Sequence, residues 1–188
     1  ITHLITDKTG TLTEGKPTVV KMLAHEASSP DALLSLAAAV ESQSEHPLAR
    51  SVVEKAKAKN VDILKGADFE STTGGGVQAR VDGALIRVGK QAFIEAVGIA
   101  IPESFATQAE QLQSKANTVI WAARADRLLG LIAIADPIKA SSKEAIESLH
   151  KLGISVVMCT GDNPRTANAV AAGLGIDTVH AEVSPEDK

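Results

Sequence analysis

Asp7-Lys8-Thr9-Gly10-Thr11-Leu12-Thr13 carries the most pointed chemistry in this sequence of 188 residues. The apolar run before it, residues 1–6, reads as a buried strand, and Asp7 stands where that strand ends. Ligands of open α/β sheets collect at the carboxyl ends of strands. A carboxylate there, with the N–H groups of a Gly/Thr turn around it, can attack a phosphorus atom or hold a magnesium ion. An isolated aspartate in such a place more often caps a turn, so the case rests on the run of seven.

Thr160-Gly161-Asp162 ends a second strand-like segment, residues 154–160. If the two strands are parallel neighbours, Asp7 and this turn share one sheet edge. The Thr160 hydroxyl can then donate to a phosphoryl oxygen, and Lys188, after Pro185-Glu186-Asp187, can bring a cation. Phosphoryl transfer needs an in-line nucleophile with positive charge and hydrogen bonds on the equatorial oxygens. Attack by Asp7 would give an aspartyl-phosphate, and magnesium, a hard cation with oxygen ligands, would screen the anionic encounter. Taken alone, the Thr-Gly-Asp turn also reads as an ordinary strand-to-helix turn, and Lys188 as a solvated lysine.

Between these motifs lies Glu41-Ser42-Gln43-Ser44-Glu45-His46-Pro47-Leu48-Ala49. Pro47 marks a first helical turn, so His46 precedes a helix N-terminus and Glu41 falls near the end of the helix before it. A histidine beside free N–H groups suits an adenine ring or a phosphate; it serves equally as a plain helix cap. Further on, Thr73-Gly74-Gly75-Gly76-Val77 can let backbone approach a ligand closely, or form a flexible bulge.

The elements that must position these groups follow from pattern. Gly15 and Pro17 suggest a hinge. Strands are expected over 18–23, 68–72, 77–81, 84–88, 118–124 and 127–135, with Asp82-Gly83 as a type I′ hairpin turn. Helices are expected from Ser29-Pro30, with Leu33, Leu36, Ala37 and Val40 on the apolar face, and over 47–60, 91–97 and 103–115. Trp121 reads as core. After Asp136-Pro137 the pattern changes. Ser141 and Glu144 form a capping box, Gly153 ends that helix, and strand 154–160, helix 165–174 and strand 178–183 follow. That alternation argues for parallel βαβ units. The expected fold class is α/β: a discontinuous parallel domain, residues 1–15 plus 136–188, with an α+β antiparallel-sheet domain inserted over 16–135.

Composition narrows the function classes. Net charge is −4 with no basic tract, which disfavours nucleic acid and anionic membrane surfaces as partners. The single Cys159 excludes a disulfide framework or a cysteine metal cluster. The longest apolar stretch, 128–135, is too short to cross a bilayer. No heptad or long apolar patch predicts an oligomer, so a monomer is expected. The sequence opens without Met inside a strand-like run, and is read as part of something longer.

These motifs resemble those of P-type ATPases over essentially the whole chain. Asp7-Lys8-Thr9-Gly10-Thr11-Leu12-Thr13 is similar to the family's phosphorylation motif, Thr160-Gly161-Asp162 to its phosphate-binding turn, Asp136-Pro137 to its hinge and Pro185-Glu186-Asp187-Lys188 to its lysine motif. The same features resemble the wider haloacid dehalogenase superfamily. Ser44-Glu45-His46-Pro47 resembles the Ser-x-His-Pro motif of the heavy-metal-transporting branch. The resemblance implies ATP and Mg2+ as ligands, with Asp7 as nucleophile and Thr9, Thr160, Asp162 and Lys188 beside it. It implies Asp7 and Thr9 as magnesium ligands, and Glu41, His46, Gly74 and Gly76 around the nucleotide. It also implies a place at the cytosolic face of a membrane, with transmembrane and metal-binding domains outside this chain. Copper(I) is the favoured cargo, with zinc, cadmium and cobalt open. Lys90 stands where copper-transporting members often have Asn, and the family's Gly-Asp-Gly-x-Asn-Asp motif is not in the sequence, so ATP binding with poor turnover is expected. A soluble phosphatase with a cap domain is the alternative, although such enzymes generally carry a second aspartate where this chain has Thr9.

Overall fold

The computed structural model describes residues 1–26 and 28–183. In chain order the elements begin with β1 (His3–Asp7), β2 (Thr18–Ala24), α1 (Pro30–Glu41), α2 (Pro47–Ala58), β3 (Gly66–Thr72), β4 (Gly76–Val81), β5 (Ala84–Gly89) and α3 (Gln91–Glu95). They continue with α4 (Glu103–Gln113), β6 (Thr118–Arg124), β7 (Arg127–Ala135), α5 (Ala140–Lys151), β8 (Ser155–Cys159), α6 (Pro164–Leu174) and β9 (Thr178–His180). The chain divides into two compact units. The first joins residues 1–17, 110–118 and 135 onward; the second joins 18–109 and 119–134.

The first unit is built on a three-stranded parallel sheet in the order β1-β8-β9. Parallel strands need crossover connections, and α6 supplies the one between β8 and β9. Register runs from His3 opposite Ser155 to Asp7 opposite Cys159, and Cys159 lies opposite His180. Val156 and Met158 of β8 are fully buried against Ile146 of α5 and Ala167, Val170, Ala171 and Leu174 of α6. The four α6 positions follow helical spacing and put one apolar stripe on the sheet. Asn163 caps that helix by accepting the Thr166 N–H at 3.0 Å, and Gly175, at φ +74°, ends it.

The start of α5 differs from the sequence pattern. The helix begins at Ala140, its N-cap position is Lys139, and no side chain caps it, so the Ser141–Glu144 capping box does not form. The reason is tertiary. The Lys139 N–H (3.0 Å) and the Ser142 hydroxyl (2.8 Å) both donate to the Leu12 carbonyl. That anchorage starts the helix two residues earlier than a Ser141 cap would.

The second unit is a six-stranded sheet in the order β2-β7-β6-β5-β4-β3. Val77, Ala79 and Val81 alternate inward along β4, with Ile86 and Val88 on β5, and α1 buries Leu33, Leu34, Ala37 and Val40 with them in one core. Trp121 is 1 % exposed, a core residue as its place in the sheet predicts. The β4–β5 turn has φ +47° at Asp82 and +75° at Gly83, the type I′ signature. Among the described residues no helix is long and apolar enough to cross a membrane.

Candidate active site

Asp7 is the last residue of β1, and its parallel partner Cys159 is the last of β8. Thr160-Gly161-Asp162 therefore leaves the sheet at the same edge, on the neighbouring strand. The Lys8 N–H donates to Asp7 Oδ1 at 2.9 Å. Lys8–Leu12 then makes one wide turn, extended at Thr9 and closed by the Thr13 N–H on the Lys8 carbonyl at 3.2 Å. Gly10, at φ +77°, supplies a backbone geometry that a side chain would strain.

A brace from the other end of this unit holds the turn. Thr13, 1 % exposed, accepts the Gly10 N–H at 3.1 Å and lies 2.6 Å from Asp136 Oδ2 and 3.2 Å from the Lys8 carbonyl. Its one proton goes to the nearer, charged acceptor. Asp136 Oδ1 also accepts the Lys16 N–H at 3.0 Å. Lys139 Nζ donates to the Gly10 carbonyl at 2.7 Å.

Lys8 itself is turned inward. It is 6 % exposed, and its ammonium lies 2.6 Å from Asp162 Oδ2. That oxygen is an ion-pair partner and not a well-aimed hydrogen-bond acceptor, while Asp162 Oδ1 accepts the Thr118 hydroxyl at 3.0 Å. Buried charges persist only when paired, so Asp162 and Lys8 require one another. Sequence reasoning gave Lys8 no role of its own. The signal was present: a lysine directly after the strand-end carboxylate, with a second carboxylate two residues past the neighbouring strand.

Thr160 is 2 % exposed. Its hydroxyl accepts the Asp162 N–H at 3.2 Å, and among the described residues its proton goes to no acceptor in the protein, which suits it to donate to an anion. Residues 182 and 183 fold back over this turn: Glu182 N–H donates to the Asp162 carbonyl and Val183 N–H to that of Thr160. Glu182 has φ +56°, which ends β9 at His180 instead of the expected residue 183. Lys188 lies outside the described residues.

No group of three or more His, Cys, Asp or Glu side chains among the described residues could hold a metal ion. Half-buried Asp7 and exposed Thr9 nevertheless offer hard oxygen donors at the sheet edge. Magnesium is commonly bound by one or two carboxylates plus substrate phosphates and waters, so this sparse donor set fits it.

The other four predicted residues lie in the second unit. Glu41 ends α1 and is 7 % exposed, and burial pushes its carboxyl up to about 7. His46 is the N-cap of α2, its Nδ1 accepting the Leu48 N–H at 3.2 Å. A neutral imidazole bonded that way carries its proton on Nε2. Glu41 and His46 thus flank the turn between α1 and α2. Gly74 and Gly76 lie where β3 passes into β4. Gly74, at φ +70°, has open space where a side chain would be. Gly76 has a structural reason to be glycine, because a Cβ there would lie 2.4 Å from the Val88 carbonyl and 2.7 Å from Gly89 Cα.

Known proteins with these features agree with one another. The model of the haloacid dehalogenase-like hydrolase family matches residues 1–188. The chain therefore belongs to that family. It is 45 % identical over 185 residues to a copper-transporting P-type ATPase of Rhizobium leguminosarum bv. viciae, covering 98 % of this chain and 22 % of that protein. It is 41 % identical to a silver exporting P-type ATPase of Salmonella typhimurium, again over 98 % of this chain and 22 % of the relative. Among solved structures, the catalytic domain of the CPx-ATPase CopB-B superposes with a TM-score of 0.75 at 27 % identity, covering all of this chain and 63 % of that one. A zinc-transporting PIB-type ATPase in its E2.Pi state gives 0.67 at 36 % identity, over all of this chain and 30 % of the other. The chain spans about a fifth of the length of the curated relatives it matches.

Proposed function

We propose that this chain is the ATP-binding and phosphorylation portion of a heavy-metal-exporting P-type ATPase, with Cu+ the first candidate cargo. In this reading the segment 16–135 binds ATP, and residues 1–15 with 136–188 accept its terminal phosphoryl group. The observation that carries it is the register of β1 on β8, which brings Asp7 and Thr160-Gly161-Asp162 to one sheet edge.

Asp7 attacks the γ-phosphorus in line, the bond to the β-γ bridging oxygen breaks, and ADP leaves with an aspartyl-phosphate behind. The Lys8 N–H on Asp7 Oδ1 orients the carboxylate. Thr160 donates its hydroxyl to an equatorial oxygen. Bound Mg2+, held by Asp7 and Thr9, would supply charge screening between carboxylate and phosphates. Thr9 stands where a phosphatase of this family would keep an acid/base aspartate, which favours a phosphoenzyme that persists. Glu41 and His46 read the adenine, and Gly74 leaves room beside it. The membrane domain that selects and moves the metal belongs to the rest of the protein, which would place this portion at the cytosolic face.

Two measurements test the reading. ATP titration by calorimetry should show binding that His46→Ala largely abolishes without unfolding the chain. Radiolabelled ATP should mark the wild-type chain with an acid-stable, hydroxylamine-labile phosphate that Asp7→Asn lacks. Equal binding by both proteins would move the nucleotide site away from His46, and a capped phosphatase would become the better reading.

A further inference from the structure

We infer that Thr118 is a positioning residue for the Asp7 carboxylate, acting through Asp162 and Lys8; the inference rests on the phosphoryl-transfer reading above. The Asp162 carboxylate has one partner for each oxygen. Thr118 donates its hydroxyl to Oδ1 at 3.0 Å, and Lys8 Nζ lies 2.6 Å from Oδ2. The hydroxyl stops the carboxylate from rotating and keeps Oδ2 on the ammonium. Lys8 and Asp162 side chains are only 8 % and 11 % exposed, so water does not replace either partner cheaply. Anchoring the Lys8 side chain restrains the residue whose N–H donates to Asp7 Oδ1 at 2.9 Å. A line of three polar contacts thus runs from residue 118 to the candidate nucleophile.

Thr118 is itself held. The neighbouring Asn117 carbonyl accepts the Thr166 hydroxyl at 2.9 Å, and Thr166 is tied to Asn163 at the start of α6. Glu110 pairs with Arg165 at 3.0 Å. These contacts make 110–118 part of the first unit, although its neighbours in sequence on both sides belong to the second. Thr118 is the residue at which the chain leaves the first unit along β6. A hydroxyl there, delivered by a segment braced against α6, has a geometric task that a valine of the same shape could not perform. Pre-set orientation of a reacting carboxylate acts on the rate of the chemical step and not on nucleotide affinity.

The test compares wild type, Thr118→Val and Thr118→Ser. Acylation of Lys8 by an amine-reactive ester, followed by peptide mass spectrometry, reads the ion pair without any turnover. The valine variant should react about fivefold faster, the worth of one lost hydrogen bond, and the serine variant at the wild-type rate. Labelling of Asp7 from saturating ATP should slow by about the same factor in the valine variant alone, with the ATP dissociation constant unchanged in all three. Unchanged Lys8 reactivity and labelling in Thr118→Val would overturn the inference. So would loss of ATP affinity in parallel with the rate, or failure of serine to rescue. If wild type binds ATP but takes no label, the phosphoryl-transfer reading fails and the positioning role with it. The reactivity result would then report a structural brace only.

Discussion

A carboxyl group at the end of a buried helix must give up either its burial or its charge, and Glu41 gives up its charge. Burial raises its pKa from 4.5 to about 7. Between those values the native state holds a proton that the unfolded state has released. The contribution to stability is therefore complete below about pH 4.5 and is lost as pH rises through about 7. The span corresponds to about 3 kcal/mol. Urea unfolding of the wild type at pH 5 and pH 8 should show that loss, and Glu41→Gln should remove most of it; parallel pH profiles would refute the burial argument. Thr13 makes a second case. Thr13→Val removes the partner of Asp136 Oδ2 and of the Gly10 N–H in a partly buried place, at a cost of about 1 kcal/mol. Thr13→Ser should cost well under half of that in the same denaturation assay. The two residues were unequally legible. Thr13 closes a seven-residue motif that any reading would mark, whereas Glu41 was marked only through its place beside Ser-x-His-Pro. Its burial comes from the packing of α1 against other elements, which no local pattern reports.

Among the elements, helices α5 and α6 separate what local rules decide from what contacts decide. The sequence places Asn163-Pro164 in a turn before a helix from Arg165; the structure starts that helix at Pro164 and puts the Asn163 side chain on the Thr166 N–H. Ser141 with Glu144 reads as a helix start with equal force, and it caps nothing. The difference lies in the Leu12 carbonyl, 130 residues from Ser142, which takes two donors from the first turn of α5 and sets where that helix begins. Asn163→Ala should accordingly lower stability by about 1 kcal/mol. Ser141→Ala should change it by less than about 0.5 kcal/mol. Ser142→Ala should cost about 1 kcal/mol by losing a buried hydrogen bond. Thermal melts of the three variants decide the point, and a Ser141 variant as damaged as the other two would restore the capping box. Strands were easier to read than helix starts, because alternation such as Val77, Ala79, Val81 follows from the pleat alone. The triple glycine shows the reverse limit. Its sequence suggests room for a ligand, yet Gly76 is required by the approach of β5 to β4.

At the scale of the whole chain, each unit has a core of its own, the two sharing no residue among those described, and two melting events are expected. Met158, fully buried, belongs to the core of the first unit, and Ile132, fully buried, to that of the second. Chains with two cores commonly depart from two-state unfolding. The change of pattern at Asp136-Pro137, where strand-helix alternation resumes, is what leads the sequence to suggest a discontinuous domain. The membership of 110–118 was not legible, because it hangs on Thr118–Asp162 and Asn117–Thr166, pairs separated by 44 and 49 residues. Calorimetric melting can assign each event. Met158→Ala should lower one midpoint and Ile132→Ala the other, each by a core deletion of about 2–5 kcal/mol. ATP at about a hundred times its dissociation constant adds about 2.7 kcal/mol to whatever binds it. If segment 16–135 is the nucleotide domain, ATP should raise the midpoint that Ile132→Ala lowers and leave the other nearly in place. A shift confined to the Met158 event would assign ATP to the first unit instead. Equal shifts of both would mean that the units unfold together or that both hold the nucleotide, and His46→Ala would separate those cases, since it should cancel only a shift that originates in the second unit.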